Sequence, residues 1–153
     1  MKSNAYPCTF KQFLILGQLG FIEPGVSQDT ILLYMGKPGR QLHRVWTYGS
    51  LELWWDTAQT TLNTIYLNNS SQNGMTLPDS IQMYDYFPRH DTSLLEMLLY
   101  LRQEGIDYKK NEYDYYKDLW IAPNITMTFR GHQQYPRLSQ ITCYKRHHRQ
   151  VMV

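Results

Sequence analysis

The second half of this chain repeats, more loosely, the pattern of its first half, and a chain built that way has two similar apolar faces to bury together. Val45-Trp46-Thr47-Tyr48-Gly49-Ser50-Leu51-Glu52-Leu53-Trp54-Trp55 is echoed by Leu119-Trp120-Ile121-Ala122-Pro123-Asn124-Ile125-Thr126-Met127-Thr128-Phe129. Leu62-Asn63-Thr64-Ile65-Tyr66-Leu67 is echoed by Leu138-Ser139-Gln140-Ile141-Thr142-Cys143. The separation is 74 residues for Trp46 and Trp120 and for Leu53 and Met127, and 76 for Ile65 and Ile141, so the two extra residues fall in the turn between the paired runs. Such a repeat predicts two copies of one supersecondary unit sharing a sheet, with any site lying on a surface that both copies supply.

The expected architecture is α+β: two tandem α/β units, about 9–69 and 79–146, forming one curved antiparallel sheet with helices on one face. Residues 1–153 suffice for a single domain, which at this length buries about two-thirds of its unfolded-chain surface. The run 68–78, with Asn68-Asn69-Ser70-Ser71 and Asn73-Gly74, is the natural boundary between copies. Residues 147–153 read as a flexible basic tail.

Local signals fill in the elements. Thr9 caps a short helix through Phe10, Phe13, Leu14 and Leu16, ended by Gly17 and Gly20. Ser27 caps a second, with Ile31, Leu32 and Met35 as its buried stripe, Gly36 as a left-handed cap and Pro38 as the stop. The third helix, Ser93 to Glu104, is capped by Asp91 or Thr92, turns Leu94, Leu95, Leu98 and Leu101 inward, and ends at Gly105. Arg44 to Trp55 is β-branched and aromatic, broken at Tyr48-Gly49-Ser50; Leu62 to Leu67 returns beside it after a turn at Asp56 to Thr60. Ile81 to Phe87 is a further strand, and Lys109 to Asp118 a tyrosine-rich loop or irregular strand.

No motif of catalysis accompanies this pattern. There is no His-Glu-x-x-His, phosphate-binding glycine loop or serine elbow, and Gly17, Gly20 and Gly25 neither follow a strand nor match a dinucleotide fingerprint. His147 and His148 are adjacent, which on an extended chain aims them at opposite faces, a poor geometry for one metal. Cys143 lies mid-strand among apolar neighbours and reads as a small core residue. The expectation is therefore a non-enzyme with no cofactor and no metal site; an enzyme using Cys8 or a histidine is the alternative from that class. No apolar run reaches the length of a membrane span, and Met1 to Thr9 holds no signal-peptide apolar region, so a cytoplasmic location is expected.

Charge narrows the partners. The formal net charge is +2 with 18% charged residues, and Lys109, Lys110, Arg130 and Arg137 are interleaved with Asp107, Glu112, Asp114 and Asp118. Phosphate binding favours a continuous basic stripe, so nucleic acid is disfavoured. The composition stands out in its 13 tyrosines and 4 tryptophans. Tyr84-Asp85-Tyr86 and Tyr113-Asp114-Tyr115-Tyr116 flank the third helix, placing aromatics beside acids as in buried interface anchors. Trp54, out of phase with Leu53 and Trp55, completes the candidate partner-binding set. The other reading of such tyrosines is that they cover the wet side of their own sheet. A small ligand or nucleic acid held by the concave sheet is a second function class, and a homodimer through a free strand edge a third arrangement.

The succession of helices, Tyr34-Met35-Gly36-Lys37-Pro38, then Val45-Trp46-Thr47-Tyr48-Gly49 and a meander resembles the α/β unit of the β-lactamase-inhibitor-protein-like fold. Small outer-membrane-assembly lipoproteins carry one such unit; the inhibitors carry two, and this chain, from about Gly25 to Tyr144, resembles the two-unit version. The phrase Tyr48-Gly49-Ser50-Leu51-Glu52-Leu53 is also similar to bacterial toxin-immunity proteins and to uncharacterised single-domain bacterial proteins. The resemblance implies a stoichiometric inhibitor that covers the active site of a toxin or enzyme through aromatic and acidic residues. The chain departs from the inhibitors in having only two cysteines and in the expectation that it carries no export signal, and from the many acidic immunity proteins in being mildly basic.

Overall fold

The computed structural model describes residues 5–69, 74–131 and 134–145. The tail 147–153 and the boundary residues 70–73 lie outside them.

The chain opens with a short strand β1 (Tyr6–Cys8) and helix α1 (Phe10–Leu16). Thr9 is extended and its hydroxyl accepts from the Gln12 N–H at 3.0 Å. Gly17 ends α1 at φ 70, and a Cβ there would stand 3.2 Å from Cys143 Sγ, so both the turn and the close approach ask for glycine. Helix α2 (Gln28–Met35) begins at Ser27, whose hydroxyl accepts from the Thr30 N–H. Its buried stripe is narrower than expected: Ile31 is buried, Met35 half-buried and Leu32 exposed. Leu16 of α1 is likewise exposed. Both helices are about two turns long and meet the core along one side only, through Phe10, Phe13 and Leu14 of α1 and Ile31 and Met35 of α2.

Strands β2 (Arg40–Leu42), β3 (Val45–Tyr48), β4 (Leu51–Trp55) and β5 (Leu62–Asn68) then form a meander. The expected strands from Arg44 to Leu67 are present; the edge strand β2 has no hydrophobic alternation of its own and was invisible in the sequence. β6 (Ile81–Met83) is shorter than the Ile81 to Phe87 run. It pairs in parallel with β1 as a separate two-stranded sheet and then turns, because Asp85 is drawn to the N-terminus of α1, where it accepts from the Phe10 N–H at 2.7 Å.

Helix α3 (Leu94–Gln103) is capped by Ser93, one or two residues later than expected, with Glu96 N–H donating to its hydroxyl at 3.1 Å. Thr92 instead accepts from the Arg89 N–H. The inward side chains are Leu94, Met97, Tyr100 and Leu101, with Leu98 partly covered. Leu95 is exposed, because the three-and-four spacing that brings 94, 97 and 101 inward sets 95 and 99 on the next ridge.

A second meander follows: β7 (Lys109–Glu112), β8 (Tyr116–Ile121), β9 (Ile125–Arg130) and β10 (Arg137–Tyr144). The Lys109 to Asp118 segment is thus a hairpin, with Tyr113-Asp114-Tyr115 at its tip. The two meanders join edge to edge through antiparallel β5 and β10, giving one open eight-stranded sheet in the order β2-β3-β4-β5-β10-β9-β8-β7. The molecule is α+β, with three helices among the described residues.

The register at the join is centred on Tyr66 opposite Thr142, the two positions that the 76-residue separation relates. Leu51 pairs with Leu67 as Ile125 pairs with Cys143, and Leu53 with Ile65 as Met127 with Ile141. The tryptophan match does not hold. Trp46 pairs with Leu53, but Met127 pairs with Leu119, not Trp120. Two residues separate Tyr48 from Leu51, whereas three separate Ile121 from Ile125, and one extra residue in a hairpin turns every side chain before it to the opposite face. Trp46 is accordingly buried and Trp120 about half exposed at 47%.

One core holds the molecule together. Trp46, Leu51, Leu53, Trp55, Ile65, Leu119, Ile121, Met127, Phe129 and Ile141 project from the sheet into it, and α1, α2 and α3 supply Phe10, Phe13, Leu14, Ile31, Met97 and Leu101. Both cysteines are buried there and no disulfide joins them.

Candidate functional site

With alternate side chains directed into the core, the remaining ones define the other face of the sheet. Residues directly opposite one another across paired strands share a face, so the registers trace rows across it. One row crosses all eight strands: Arg40, Thr47, Glu52, Tyr66, Thr142, Thr126, Trp120 and Lys109. Beside it lie Leu42, Val45, Trp54, Thr64 and Tyr144 on one flank, and Asn68, Gln140, Thr128, Asp118 and Asn111 on the other. None of these belongs to the apolar core that the helices share.

The face has a definite chemical layout. Its middle is short and polar: Thr64 and Thr142 lie low beneath their neighbours, each 4% exposed, and Gln140 Nε2 donates to the Thr142 hydroxyl at 3.1 Å. Aromatic groups rise on both sides of this strip. Trp54 is 37% exposed, with its ring 5.4 Å from that of Tyr66, and its Nε1 donates to Glu52 Oε1 at 3.2 Å. Glu52 Oε2 accepts from Asn68 Nδ2 at 2.6 Å. Burial pushes the Tyr66 hydroxyl above its ordinary pKa, with Tyr144 and Glu52 adding to the effect. On the far side Trp120 stands on β8, roughly 19 Å from Trp54 at four strand spacings. Tyr116 stacks on Tyr113 at 4.5 Å, and the Arg130 guanidinium lies 5.3 Å from the centre of the Tyr116 ring.

Two clefts border these aromatics. One of about 460 Å³ is lined by Tyr113, Asp114, Tyr115, Tyr116, Arg130 and neighbouring residues, and one of about 420 Å³ by residues around Trp54.

The sequence-derived site residues divide among three places. Trp54, on β4, and Tyr116, on β8, share the open face. Tyr113, Asp114 and Tyr115 form the tip of the adjoining hairpin, Tyr115 being 89% exposed. Tyr84, Asp85 and Tyr86 belong to the helical layer. Asp85 serves the N-terminus of α1; Tyr86 stacks on Tyr100 of α3 at 4.5 Å and meets Phe10 edge-on at 5.8 Å; exposed Tyr84 lies beside Cys8 and Gln12. Tyr66, Trp120 and Tyr144 also stand on the open face and are not among the sequence-derived candidates. Their alternation with buried neighbours marks them as outward-facing, but the one-residue difference between hairpins disguised Trp120 as the counterpart of a core residue.

Comparison with known proteins returned no match. No family model matches the sequence, and neither curated proteins nor solved structures resemble the chain significantly.

Burial pushes the Cys8 thiol up, with a backbone hydrogen bond at Gly20 opposing and Asp85 reinforcing the shift, the reverse of what a thiolate nucleophile requires. Among the described residues no three His, Cys, Asp or Glu side chains converge as metal ligands, and no helix is long and apolar enough to cross a membrane. His147 and His148 lie outside the described residues.

Proposed function

We propose that this chain is a non-enzymatic protein-binding module, an immunity or inhibitor protein that neutralises a bacterial toxin or enzyme by seating it on the open face of the sheet and covering its active site. The observation that carries this reading is the layout of that face: Trp54 and Tyr66 on one meander and Tyr116 and Trp120 on the other, either side of a hydroxyl-and-amide strip, with Tyr113 and Tyr115 at the rim. Aromatic anchors around a short polar floor offer large contact area at low entropic cost, and Trp54, Trp120, Tyr113 and Tyr115 are exposed there. In this reading the two meanders with their preceding helices are two copies of one unit, arranged as in the two-unit inhibitors that the sequence resembles, and the copies combine to make a surface that neither has alone. The protein acts stoichiometrically, in the cytoplasm.

The test is affinity capture from the cell of origin, followed by titration of the captured protein with the full chain and its variants. Replacing Trp54 and Trp120 together by Ala, or Tyr113, Tyr115 and Tyr116 together by Ala, is expected to weaken binding by more than about tenfold, since each anchor typically contributes more than ~1 kcal/mol. Affinity within about twofold of wild type for both variants sinks the assignment.

A further inference from the structure

The clefts at the two ends of the open face carry the same balance of formal charge, two basic side chains and one carboxylate, but differ in what surrounds those charges. At the β2 end, Arg40, His43 and Arg44 surround a cleft of about 420 Å³ whose walls are Leu42, Val45 and Trp54. Leu42 is 52% exposed, so an apolar side chain stands open to solvent between guanidinium groups. Among the described residues neither Arg40 nor Arg44 takes part in an ion pair. The one carboxylate lining the cleft is Glu52, and both of its oxygens are already engaged, by Trp54 Nε1 and by Asn68 Nδ2. At the opposite end the cleft at the β7–β8 tip holds Asp114 together with Lys117 and Arg130, and its walls are tyrosines rather than an exposed aliphatic side chain.

We propose that the β2-end cleft receives an acidic residue flanked by an apolar one, presented by a loop of the partner protein. This rests on the open face being a protein-binding surface and names the chemistry of what that surface takes at one end. A carboxylate placed between Arg40 and Arg44 accepts charge-assisted and bidentate hydrogen bonds of a kind that lysines in the same places do not offer. The neighbouring apolar side chain covers Leu42 and the exposed edge of Trp54, removing water from the ion pair and strengthening it. A phosphate backbone fits the same place less well, because two arginines at one end of the sheet make no continuous basic track.

The test uses the full chain and three probes at low ionic strength: the blocked peptide Gly-Leu-Asp-Trp-Glu-Gly, its uncharged isostere Gly-Leu-Asn-Trp-Gln-Gly, and single-stranded oligothymidine. The acidic peptide is expected to bind at least about tenfold more tightly than the isostere, and Arg40→Glu combined with Arg44→Glu to abolish that preference. Arg40→Lys combined with Arg44→Lys keeps the charge and loses the fork geometry, so an intermediate affinity is expected. Unchanged thermal midpoints show that the exposed arginine variants remain folded. Equal binding of the two peptides, failure of the acidic peptide to bind, or tighter binding of oligothymidine than of the acidic peptide overturns the proposal. No native partner enters this experiment, so its outcome is independent of the capture experiment. Conversely, a captured partner that binds the double arginine-to-glutamate variant as well as wild type overturns the cleft's role while leaving the open-face reading standing.

Discussion

The two meanders of the sheet use nearly the same strand pattern to opposite ends. In the first, Trp46 and Trp55 face inward and meet edge to face at 4.8 Å inside the core. In the second, Leu119 takes the place of Trp46, Phe129 follows the inward series of Ile125 and Met127, and Trp120 is turned outward. The cause is local: two residues close the β3–β4 hairpin and three close the β8–β9 hairpin. A single residue in a turn therefore converts a core tryptophan position into a surface one, because the side-chain period of a strand is two. The first meander spends its tryptophans mostly on stability, and the second presents its own to solvent.

The largest expected contrast lies in those tryptophans. Replacing Trp46 or Trp55 by Ala is expected to cost about 3 to 5 kcal/mol of unfolding free energy in urea, as for other large core side chains. Trp120→Ala is expected to cost less than about 1 kcal/mol. Equal losses would break the assignment of opposite faces.

A second contrast concerns the residues just past the joining strands. Asn69 is buried and its Nδ2 donates to the Leu138 and Arg89 carbonyls at 2.8 and 3.1 Å, tying the end of β5 to β10 and to the segment before α3. Lys145, its counterpart 76 residues on, is exposed. Asn69→Ala is expected to cost about 1 to 3 kcal/mol and Lys145→Ala to change little, both read from urea unfolding. A null effect at Asn69 would mean that the tie does not hold the two meanders together.

Smaller effects sharpen the comparison at the turns. His43 closes the β2–β3 hairpin at φ 53, in the left-handed region that glycine occupies freely and other residues at a cost. His43→Gly is expected to raise stability by roughly 0.5 kcal/mol, the relief exceeding glycine's greater unfolded-state entropy; a lower thermal midpoint would contradict this.

The smallest effect concerns pH. In the β4–β5 turn, hydrogen bonds from Thr60 and Thr61, led by the Thr60 N–H, hold the Asp56 carboxyl at about 2 against an ordinary 3.8. A depressed folded-state pKa gives stability that is present above about pH 4 and is lost as pH falls towards about 2. Thermal midpoints between those pH values are expected to fall less steeply for Asp56→Asn than for wild type. Identical slopes would remove Asp56 from the account of that turn.

Much of this architecture was legible in the residues themselves. Thr9, Ser27, Gly17 and Gly105 punctuate helices because caps and left-handed residues act within one turn of chain, and the alternation in β4, β5, β9 and β10 reports a half-buried sheet directly. Tyr66 and Thr142, which the 76-residue spacing relates, face one another at the join, but the spacing did not say that their strands pair. The site was less legible. Nothing in Tyr84-Asp85-Tyr86 distinguishes an interface triplet from one that stacks on Phe10 and Tyr100 and serves the N-terminus of α1, because those partners are distant in sequence. Trp120 escaped notice for the opposite reason: aligning letters across a turn of different length put it out of phase.

By itself, then, the sequence determined the three helices and the main strands of the two meanders, β3 to β5 and β8 to β10, which depend on interactions between neighbours or on composition. Only the tertiary structure decided that β5 and β10 join the halves, that the edge strand β2 carries Arg40 and Leu42 to one end of the open face, and which tryptophans lie on that face. Those outcomes depend on strand register and on contacts between residues far apart in the chain, where a one-residue shift reverses inside and outside while leaving the local pattern unchanged.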